Sequence, residues 1–417
     1  MGTRDDSQSP LVVTVTVIGV VALLVWWAGW ALPVVLAAIM VMIMGHEFGH
    51  FITAKRAGME VTDFFVGFGP VLWAIKRGET RYGVRAILFG GYVKVPGMSW
   101  ESEIPASEES RTYRSATYPR KVLFASAGSL MHGVMALVLA WASLTFVGLP
   151  SSDHVGVLAF AHWDGHHQTS AQQAGLRVSD QIVAVNGVAI TSPDQLVSLV
   201  HGDAGQKLTL SVRRNGRVIT LHATPVDGRT LKAGGVALAS GPQSDGFLGI
   251  EVGALVTRSS LLGAVPGSFH QVGTTFNEAI KGIGHVFTPG EFTSLFHQVV
   301  SPAAANSRTN QLTRPESIVG VVRLAVQSTH SGVGTLLEIL MAVNIFVGVL
   351  NMLPMLPLDG GYVLIATYER LRSRRGRAYH ADVTRLTPVI YAFMSVLLVL
   401  FASTLYLDIV HPITNPF

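Results

Sequence analysis

Long apolar stretches with almost no charge alternate with polar stretches along the chain. The first apolar stretch extends from Leu11 to His50, and segment 26–33 interrupts it with three tryptophans and a proline. One helix of that length would be about 60 Å long, roughly twice the hydrocarbon core of a bilayer. Since tryptophan favours the membrane interface and proline breaks helices, we predict two spans, at about 11–28 and 34–54, joined by a tight turn. A single long kinked helix is the alternative.

Later apolar stretches predict three more membrane spans, at about 122–148, 334–357 and 387–407. Residues 55–121 and 366–386 are rich in Lys and Arg. By the positive-inside rule these two basic segments are cytoplasmic, which leaves 149–332 and the C-terminus outside. The predicted topology therefore has five spans and a cytoplasmic N-terminus.

The composition is typical of a membrane protein that also has segments outside the membrane. Hydrophobic residues make up 49% of the chain and charged residues 13%, whereas an average soluble domain is about a quarter charged. The net charge of +4 does not suggest nucleic acid as a partner. Because the chain has no cysteine, disulfides and thiolate zinc ligands are excluded, and any metal must be held by His, Asp or Glu. The N-terminal apolar run is too long for a cleavable signal peptide and lacks a small-residue cleavage site.

A His-Glu-x-x-His motif, His46–His50, lies near the end of the second predicted span. Two histidines four residues apart lie on one face of a helix and can bind one metal ion, while Glu47 acts as base. Ionisable residues are costly inside a membrane and are functional candidates there. The motif therefore predicts a zinc site at membrane depth. The alternative is a pair of histidines that hydrogen-bond within a helix bundle.

Asp359 is the best candidate for a third metal ligand. It precedes the second basic segment, just as His50 precedes Lys55-Arg56, so both lie near the cytoplasmic end of a span. Glu338 is about 31 Å of helix earlier and belongs at the opposite face. A catalytic zinc with three protein ligands activates a water, and Glu47 would pass its proton to the leaving amine during peptide hydrolysis. An Asp-Gly turn at the interface is the other interpretation of Asp359.

These motifs resemble the site-2 protease family of intramembrane zinc metalloproteases, especially the bacterial branch that includes the regulator of sigma-E protease. The resemblance covers most of 34–407 and includes a PDZ-like insert. The matching residues are His46, Glu47, His50, Asn351, Pro354 and Asp359, together with Gly67-Phe68-Gly69-Pro70 and Phe89-Gly90-Gly91-Tyr92-Val93-Lys94. It implies one catalytic Zn²⁺ and cleavage of transmembrane segments, commonly in anti-sigma factors already cut by a site-1 protease.

Residues 62–76 and 80–95 are predicted to form strands around a tight turn. In the family, a membrane-dipping β element of this kind lies beside the active site and is proposed to pair with the unwound substrate, which strand addition would achieve. The resemblance therefore assigns substrate binding to five residues: Gly67, Phe68, Gly69, Asn351 and Pro354. The alternatives are an ordinary cytoplasmic hairpin and, for Asn351, a cap at a helix break.

The third span departs from the family pattern. It carries Gly128-Ser129 and His132 where the family typically has Gly-Pro and an asparagine. His132 could be a further metal or proton-handling group. We expect His132 to have a structural role, next to a contact between small residues of neighbouring helices.

A PDZ domain is predicted at about 155–228. Ala174-Gly175-Leu176 and the following segment 180–187 resemble the protease-associated type, and we expect these three residues at its groove. Residues 194–201 are expected to form the groove helix, and a closing hairpin is expected around Asn215-Gly216. Such a domain would act as a size filter or a tail-binding gate, or else as a structural module without a peptide ligand. Asp164-Gly165-His166-His167 could bind a metal ion, but a solvated loop is expected.

The predicted fold class is a polytopic α-helical membrane protein with a site-2 protease core, a membrane-associated β-hairpin region and an extracytoplasmic α+β PDZ domain. Its expected segments are an N-terminal tail with an extra transmembrane helix (1–33), a first core part (34–148), the PDZ domain (155–228), a connecting region (229–332) and a C-terminal core part (333–417).

The resemblance implies an intramembrane zinc endopeptidase of the bacterial cell membrane, with its active site near the cytoplasmic side. Its expected partners are single-span membrane proteins such as anti-sigma factors, an upstream site-1 protease and the lipid bilayer, without nucleic acid. Trimming of signal-peptide remnants or cleavage of membrane-surface peptides is an alternative activity. A non-catalytic PDZ scaffold with a vestigial motif is a third hypothesis, against which the intact Glu47 argues.

Overall fold

A computed structural model describes residues 10–98, 109–161, 168–233, 236–237, 244–373, 379 and 381–413. The chain forms two compact units. The first, called here the membrane unit, comprises Met1–Ser143 and Gly263–Phe417, and the second, the inserted unit, comprises Leu144–Leu262. The inserted unit contains the predicted PDZ segment and extends past both its ends. The candidate metal segment 164–167 lies outside the described residues.

Helices and strands are numbered in chain order. The helices are α1 (Pro10–Ala28), α2 (Ala31–Arg56), α3 (Tyr118–Ala142), α4 (Ser170–Gln173), α5 (Pro193–His201), α6 (Ala264–Val286), α7 (Pro289–Val300), α8 (Pro302–Ala305), α9 (Arg308–Thr313), α10 (Ile318–Ser331), α11 (Val333–Asn351), α12 (Asp359–Arg372) and α13 (Thr387–Val410). The strands are β1 (Asp63–Arg77), β2 (Thr80–Lys94), β3 (Leu149–Phe160), β4 (Gln181–Val185), β5 (Val188–Ala189), β6 (Leu208–Arg214), β7 (Arg217–Ala223), β8 (Val226–Asp227), β9 (Lys232–Ala233), β10 (Val236–Ala237), β11 (Gly246–Phe247) and β12 (Ile250–Thr257).

Four helical stretches among the described residues are long and apolar enough to cross a membrane. They correspond to four of the five predicted spans and cover Ala31–Arg56, Tyr118–Val147, Val333–Asn351 and Val383–Val410. The third ends earlier than the predicted 334–357, because Pro354 and Pro357 cannot continue a helix. Helix α1 occupies the remaining predicted segment, 11–28, and a break at Gly29, with φ +76°, separates it from α2.

Glycines let α2, α3 and α11 approach one another closely. A Cβ on Gly49 of α2 would lie 2.5 Å from the carbonyl oxygen of Ala127 on α3. A Cβ on Gly348 of α11 would lie 3.0 Å from the Cβ of His132, also on α3. Small residues allow this backbone proximity, which is how membrane helices gain packing energy without a hydrophobic driving force. The close approach brings buried polar side chains of three helices into one region.

Strands β1 and β2 form a doubled hairpin in the membrane unit. The first part of β1, Asp63–Val66, pairs with Arg81–Val84 on one side and with Gly91–Lys94 on the other. The second part of β1 pairs with the first part of β2. The segment Gly91–Lys94 is therefore at one edge of the small sheet. The strands lie close to the predicted 62–76 and 80–95, but the doubling is a tertiary feature that the strand pattern did not predict.

The inserted unit is built on an antiparallel sheet with strand order β12-β3-β4-β6-β7, and β5 pairs with β4. Its core contains Val157 of β3, Leu196 of α5 and Leu210 of β6, all almost fully buried. The β6–β7 turn is at the predicted Asn215-Gly216, where both residues have positive φ as a tight hairpin requires. Strand β12 lies at the edge of the sheet, beyond the end of the predicted domain.

Candidate metal centre and active site

Three candidate ligand atoms converge in the membrane unit. The Nε2 atoms of His46 and His50 lie 3.2 Å apart. The Oδ2 atom of Asp359 is 3.5 Å from Nε2 of His46 and 3.3 Å from Nε2 of His50. These residues form a group that could hold a metal ion. The geometry thus brings together the three residues that the sequence singled out, and among the described residues Glu338 is not part of the group.

The local sequence explains how Asp359 reaches α2. Asp359 is the first residue of α12, and two glycines follow it. A Cβ on Gly360 would lie 2.2 Å from the carbonyl oxygen of Met352, and one on Gly361 would lie 2.6 Å from the backbone nitrogen of Leu356. The loop after α11 therefore folds back directly onto the start of α12, which only glycine allows. This fold holds the carboxylate against the histidine pair.

The donor set fits zinc. Because a carbonyl can only accept a hydrogen bond, Nδ1 of His50 donates to Phe124 O at 2.8 Å, which leaves the Nε2 lone pair free. Oδ2 of Asp359 is buried and has no hydrogen-bond partner among the described residues. Two ligand atoms of a tetrahedral zinc with bonds of about 2.0–2.1 Å lie about 3.3–3.4 Å apart, close to the distances observed here. Three protein ligands would leave one position open for water.

Helix α3 lies directly against the ring of His46. A Cβ on Gly128 would be 2.2 Å from Cε1 of His46, so only glycine fits at this position. Nδ1 of His46 is buried and has no hydrogen-bond partner among the described residues. One turn further along α3, the ring centroid of His132 lies 5.1 Å from that of His46. His132 does not belong to the metal-ligand group.

Glu47 lies between the histidine pair and the edge of the doubled hairpin. A Cβ on Gly91 of β2 would be 3.3 Å from Cγ of Glu47. The carboxylate faces the backbone of Val93 and is within electrostatic range of His50 and Asp359. A carboxylate at this position can exchange a proton with a group bound at the centre and also face a peptide lying along Gly91–Lys94.

The residues expected to bind substrate lie on two elements around the centre. Gly67 and Gly69 have φ of +83° and +81° and turn the chain within β1. Between them the half-exposed Phe68 stacks on Tyr92, with ring centroids 6.2 Å apart. Asn351 ends α11, and Pro354 is exposed in the loop that leads to Asp359. Their role in substrate binding stays a prediction.

A cavity of about 220 Å³ adjoins the loop that carries Asp359. Its lining includes Leu356 and Pro357 of the loop, and Tyr113, Lys121, Tyr362 and Glu369. Burial, and then the charge of Asp359, raises the pKa of Tyr362, so its phenol stays neutral at physiological pH. Burial and the charge of Glu369 likewise raise the pKa of Tyr113. The cavity is therefore lined by neutral phenols and by one buried ion pair, Lys121–Glu369, with an N–O distance of 2.9 Å.

The inserted unit has a cleft of its own, of about 210 Å³, between α5 and the start of β12. Part of its lining comes from the predicted groove helix: Leu196, Val197, Val200 and His201. The rest comes from a segment that the sequence analysis did not assign to the groove: Gly246, Phe247, Leu248, Gly249, Ile250 and Val252. Ala174, Gly175 and Leu176 are not among them, and Leu176 is buried in the core. The run Gly246–Ile250, two glycines flanking apolar residues before a strand, was the signal that could have identified this part of the cleft.

Comparison with known proteins adds independent information. A family model described as Peptidase family M50 matches residues 34–398, a range that contains His46, Glu47, His50 and Asp359. Zinc metalloprotease Rip1 of Mycobacterium tuberculosis is 29% identical over 399 residues, covering 90% of this chain and 96% of the relative. Putative zinc metalloprotease CPE1693 of Clostridium perfringens is 28% identical over 330 residues, covering 79% and 85%. Putative zinc metalloprotease all3971 of Nostoc sp. is 26% identical over 343 residues, covering 81% and 86%.

Proposed function

The chain belongs to peptidase family M50, and we propose that it hydrolyses peptide bonds in transmembrane segments with one zinc ion held by His46, His50 and Asp359. It is an intramembrane zinc metalloprotease, in keeping with its family and with relatives named as zinc metalloproteases. The observation that carries the ligand assignment is the convergence of the three ligand atoms within 3.2–3.5 Å. In neutral His50 the Nε2 lone pair faces the Asp359 carboxylate, and a cation bound between them would be stabilised by both.

Glu47 is the general base of the proposed reaction. Zinc at this site supplies Lewis-acid polarisation of the substrate carbonyl and lowers the pKa of water to about 7. The Glu47 carboxylate takes the proton of the attacking water and delivers it to the leaving amine. His50 contributes through its fixed orientation, since its bond to Phe124 O holds Nε2 toward the centre. The same carboxylate thus carries out both proton transfers, from the water and to the amine.

The edge Gly91–Lys94 presents the substrate to Glu47. A helical segment hides its amide bonds, so the substrate must unwind before it is cut. An extended segment gains backbone hydrogen bonds by adding to an exposed strand edge, and this edge lies beside Glu47. Gly67, Phe68 and Gly69 shape the bend of the same sheet, and the Asn351 carboxamide and Pro354 border the substrate on the side of the Asp359 loop.

The proposed substrates are single-span membrane proteins, such as anti-sigma factors, that a site-1 protease has already shortened. In this arrangement the enzyme lies in the bacterial cell membrane with its basic segments in the cytoplasm and the inserted unit outside. Cells carrying Glu47→Gln should accumulate the uncut membrane-bound stump of the natural substrate. Accumulation of free signal-peptide remnants instead would favour the trimming activity.

We further propose that the inserted unit is a PDZ domain that binds the freed tail of a shortened substrate. Strand β12 is an edge strand, and the cleft runs between it and α5, the arrangement in which a peptide adds as a further strand. Backbone N–H groups of the Gly246–Gly249 loop would receive the terminal carboxylate.

Substitution of one cleft residue tests the PDZ assignment. Val197 is exposed on α5 and lines the cleft, whereas Val188 is exposed on β5 outside it. Val197→Asp should weaken binding of a peptide with a free C-terminal carboxylate, and Val188→Asp should not. Equal binding by both variants and by the wild type would mean that the cleft is not the tail site.

The zinc assignment is tested on the full chain in detergent or lipid. Asp359→Ala and His46→Ala should each lower zinc affinity by more than the roughly 10–100-fold that loss of a supporting residue costs. Chelation should abolish cleavage of a transmembrane peptide, and added zinc should restore it. Undiminished zinc affinity in Asp359→Ala would reject the third ligand. Faster cleavage of a soluble peptide than of a transmembrane one would favour a membrane-surface peptidase.

A further inference from the structure

Arg85 of β2 connects the bend of the doubled hairpin to its edge. Its Nη1 donates to the carbonyl oxygen of Gly69, in the bend of β1, at 2.5 Å. Its Nη2 donates to the hydroxyl oxygen of Tyr92 at 2.7 Å, and Tyr92 belongs to the edge segment Gly91–Lys94. One guanidinium group therefore holds together two parts of the sheet that lie on different strands.

Aromatic rings fix the guanidinium group of Arg85 in place. Its Cζ lies 4.8 Å from the ring centroid of Phe65 and 5.4 Å from that of Tyr92. The two rings are stacked, with centroids 5.7 Å apart and planes 9° apart. Phe65 is fully buried, and its ring lies over Gly83, where a Cβ would be only 2.5 Å from Cε1 of Phe65. Since a planar guanidinium stacks on such rings, its two hydrogen bonds have a defined direction.

The edge that Arg85 holds also contacts α2. A Cβ on Gly91 would lie 3.3 Å from Cγ of Glu47. Successive residues of a strand face opposite sides of the sheet. Gly91 therefore faces α2, whereas Tyr92 faces Arg85. A displacement of the edge at Tyr92 would change the distance between Gly91 and Glu47.

Resting on the proposed presentation of substrate at this edge, we propose that Arg85 is a positioning residue for the substrate. It holds the edge Gly91–Lys94 where an extended segment can add as a strand beside Glu47. Arg85 acts through Tyr92 and the Gly69 carbonyl, and not on the reacting atoms. A lysine cannot replace it fully, because one ammonium group lacks the planar fork that stacks on the rings and donates in two directions.

Substrate affinity in an inactive background tests this role without relying on activity. All variants are made in full-length Glu47→Gln protein, and the probe is a fluorescently labelled transmembrane peptide. Arg85→Met keeps an apolar side chain and removes both hydrogen bonds. We expect it to raise the peptide dissociation constant about 10-fold, the scale of one or two lost backbone hydrogen bonds. A loss of folded protein would lower the amplitude of the titration and leave the dissociation constant unchanged.

Arg81 provides the matched control. It lies two residues before Arg85 on the same strand, and its Cζ is 5.1 Å from the same Phe65 ring. Its guanidinium group donates to Asp63, and not to the bend or the edge. Arg81→Met should therefore leave the peptide dissociation constant unchanged. An equal rise in the two methionine variants would overturn the specific role of Arg85, because loss of a cation over Phe65 would then be sufficient.

Two conservative variants test the chemistry of the contact. Arg85→Lys keeps the charge, and we expect it to recover only part of the lost affinity. Tyr92→Phe removes only the hydroxyl acceptor and should weaken peptide binding in the same direction. Since this hydroxyl acts through Arg85, adding Tyr92→Phe to Arg85→Met should cause no further loss. Additive losses would contradict the proposal. If Arg85→Met does not fold, unchanged affinity in both Arg85→Lys and Tyr92→Phe would overturn it.

A second peptide separates the role of Arg85 from strand addition itself. N-methylation of its central amides removes the donors that a strand needs. The Glu47→Gln parent should bind this peptide about 10-fold more weakly than the unmodified one, whereas Arg85→Met should bind the two alike. Equal binding of both peptides by the parent would overturn substrate addition at the edge. A full penalty for N-methylation in Arg85→Met would instead overturn the role of Arg85 and leave the edge in place.

Discussion

Oδ2 of Asp359 lies 3.3 Å from Nε2 of His50, a distance at which one cation can bind both atoms. The Nδ1 bond to Phe124 O takes the only proton of neutral His50. Two lone pairs at this distance repel unless a cation lies between them. With neutral His50, a cation bound by these ligands would therefore stabilise the approach of α12 to α2.

Metal removal should destabilise the membrane unit. A ligand that binds only the folded state adds about 4 kcal/mol at a concentration 1,000 times its dissociation constant. We expect chelation to lower the midpoint of thermal unfolding in detergent and added zinc to restore it. The His46→Ala variant should show neither shift. A midpoint that does not depend on zinc in the wild type would contradict the site.

Gly128→Ala should disable the centre. The added Cβ would overlap the His46 ring, so either the ring or α3 must move. Zinc affinity and peptide cleavage are both expected to fall by about 10-fold or more, the scale of losing a supporting contact. Gly133→Ala is the matched control, because among the described residues no atom outside the adjacent residues and the nearby helix backbone lies within 4 Å of a Cβ there, and alanine favours helix by about 1 kcal/mol. Equal behaviour of the two variants would argue against the close packing of α3 on His46.

Lys121 and Glu369 form a buried ion pair that should be sensitive to loss of one member. Glu369→Ala leaves the Lys121 ammonium unpaired, which costs about 3–5 kcal/mol. Lys121→Met combined with Glu369→Gln should recover most of that loss, because no buried charge remains and Gln still accepts from Ala381 N. The free energy of unfolding in mixed detergent measures both the loss in the single variant and the recovery in the double variant. The exposed pair Asp382–Arg385 is the control, and Arg385→Ala, which keeps the cap that Asp382 gives to Thr384 N, should hardly change the midpoint.

Stability should fall as pH rises through the range in which Glu316 titrates. Burial, and then the charge of Asp408, raises the pKa of Glu316 to about 7, although Arg314 opposes the shift. The folded state thus holds a proton that the unfolded state releases above its ordinary pKa of 4.5. The contribution of this proton to the free energy of unfolding is complete below pH 4.5, and it is lost as the pH rises from 4.5 to about 7.

The thermal midpoint at several pH values measures this slope. Glu316→Gln should flatten the curve between about pH 4.5 and 7, because the variant has no proton to lose. Glu278→Gln, on the exposed side of α6, should keep the wild-type slope. A Glu316→Gln curve as steep as that of the wild type would show that another group titrates.

The convergence of the candidate ligands was more predictable from the sequence than the structure around them. His46, His50 and Asp359 could be chosen because helix periodicity and span ends place them at one depth. Local patterns also predicted the strands and the Asn215-Gly216 turn. The doubled pairing of β1 was not predictable, since strand patterns carry no information about which partner a strand takes.

The sequence also did not predict the contacts between elements that are distant along the chain. The 2.9 Å contact between His132 and Asn344 joins two helices whose facing sides depend on tertiary packing. Arg314 and Asp408 likewise meet only once α10 and α13 are packed. The Gly246–Ile250 segment had a readable glycine pattern, but it lay beyond the predicted end of the PDZ domain.

The most direct test of the central claim is cleavage of a transmembrane peptide by zinc-loaded wild type and Glu47→Gln, with the zinc content of both measured. Glu47 is not one of the three proposed ligands, so the variant should keep its zinc. Loss of the general base should slow cleavage by about 10²–10⁴-fold. Equal cleavage by the two proteins, each carrying zinc, would contradict the account.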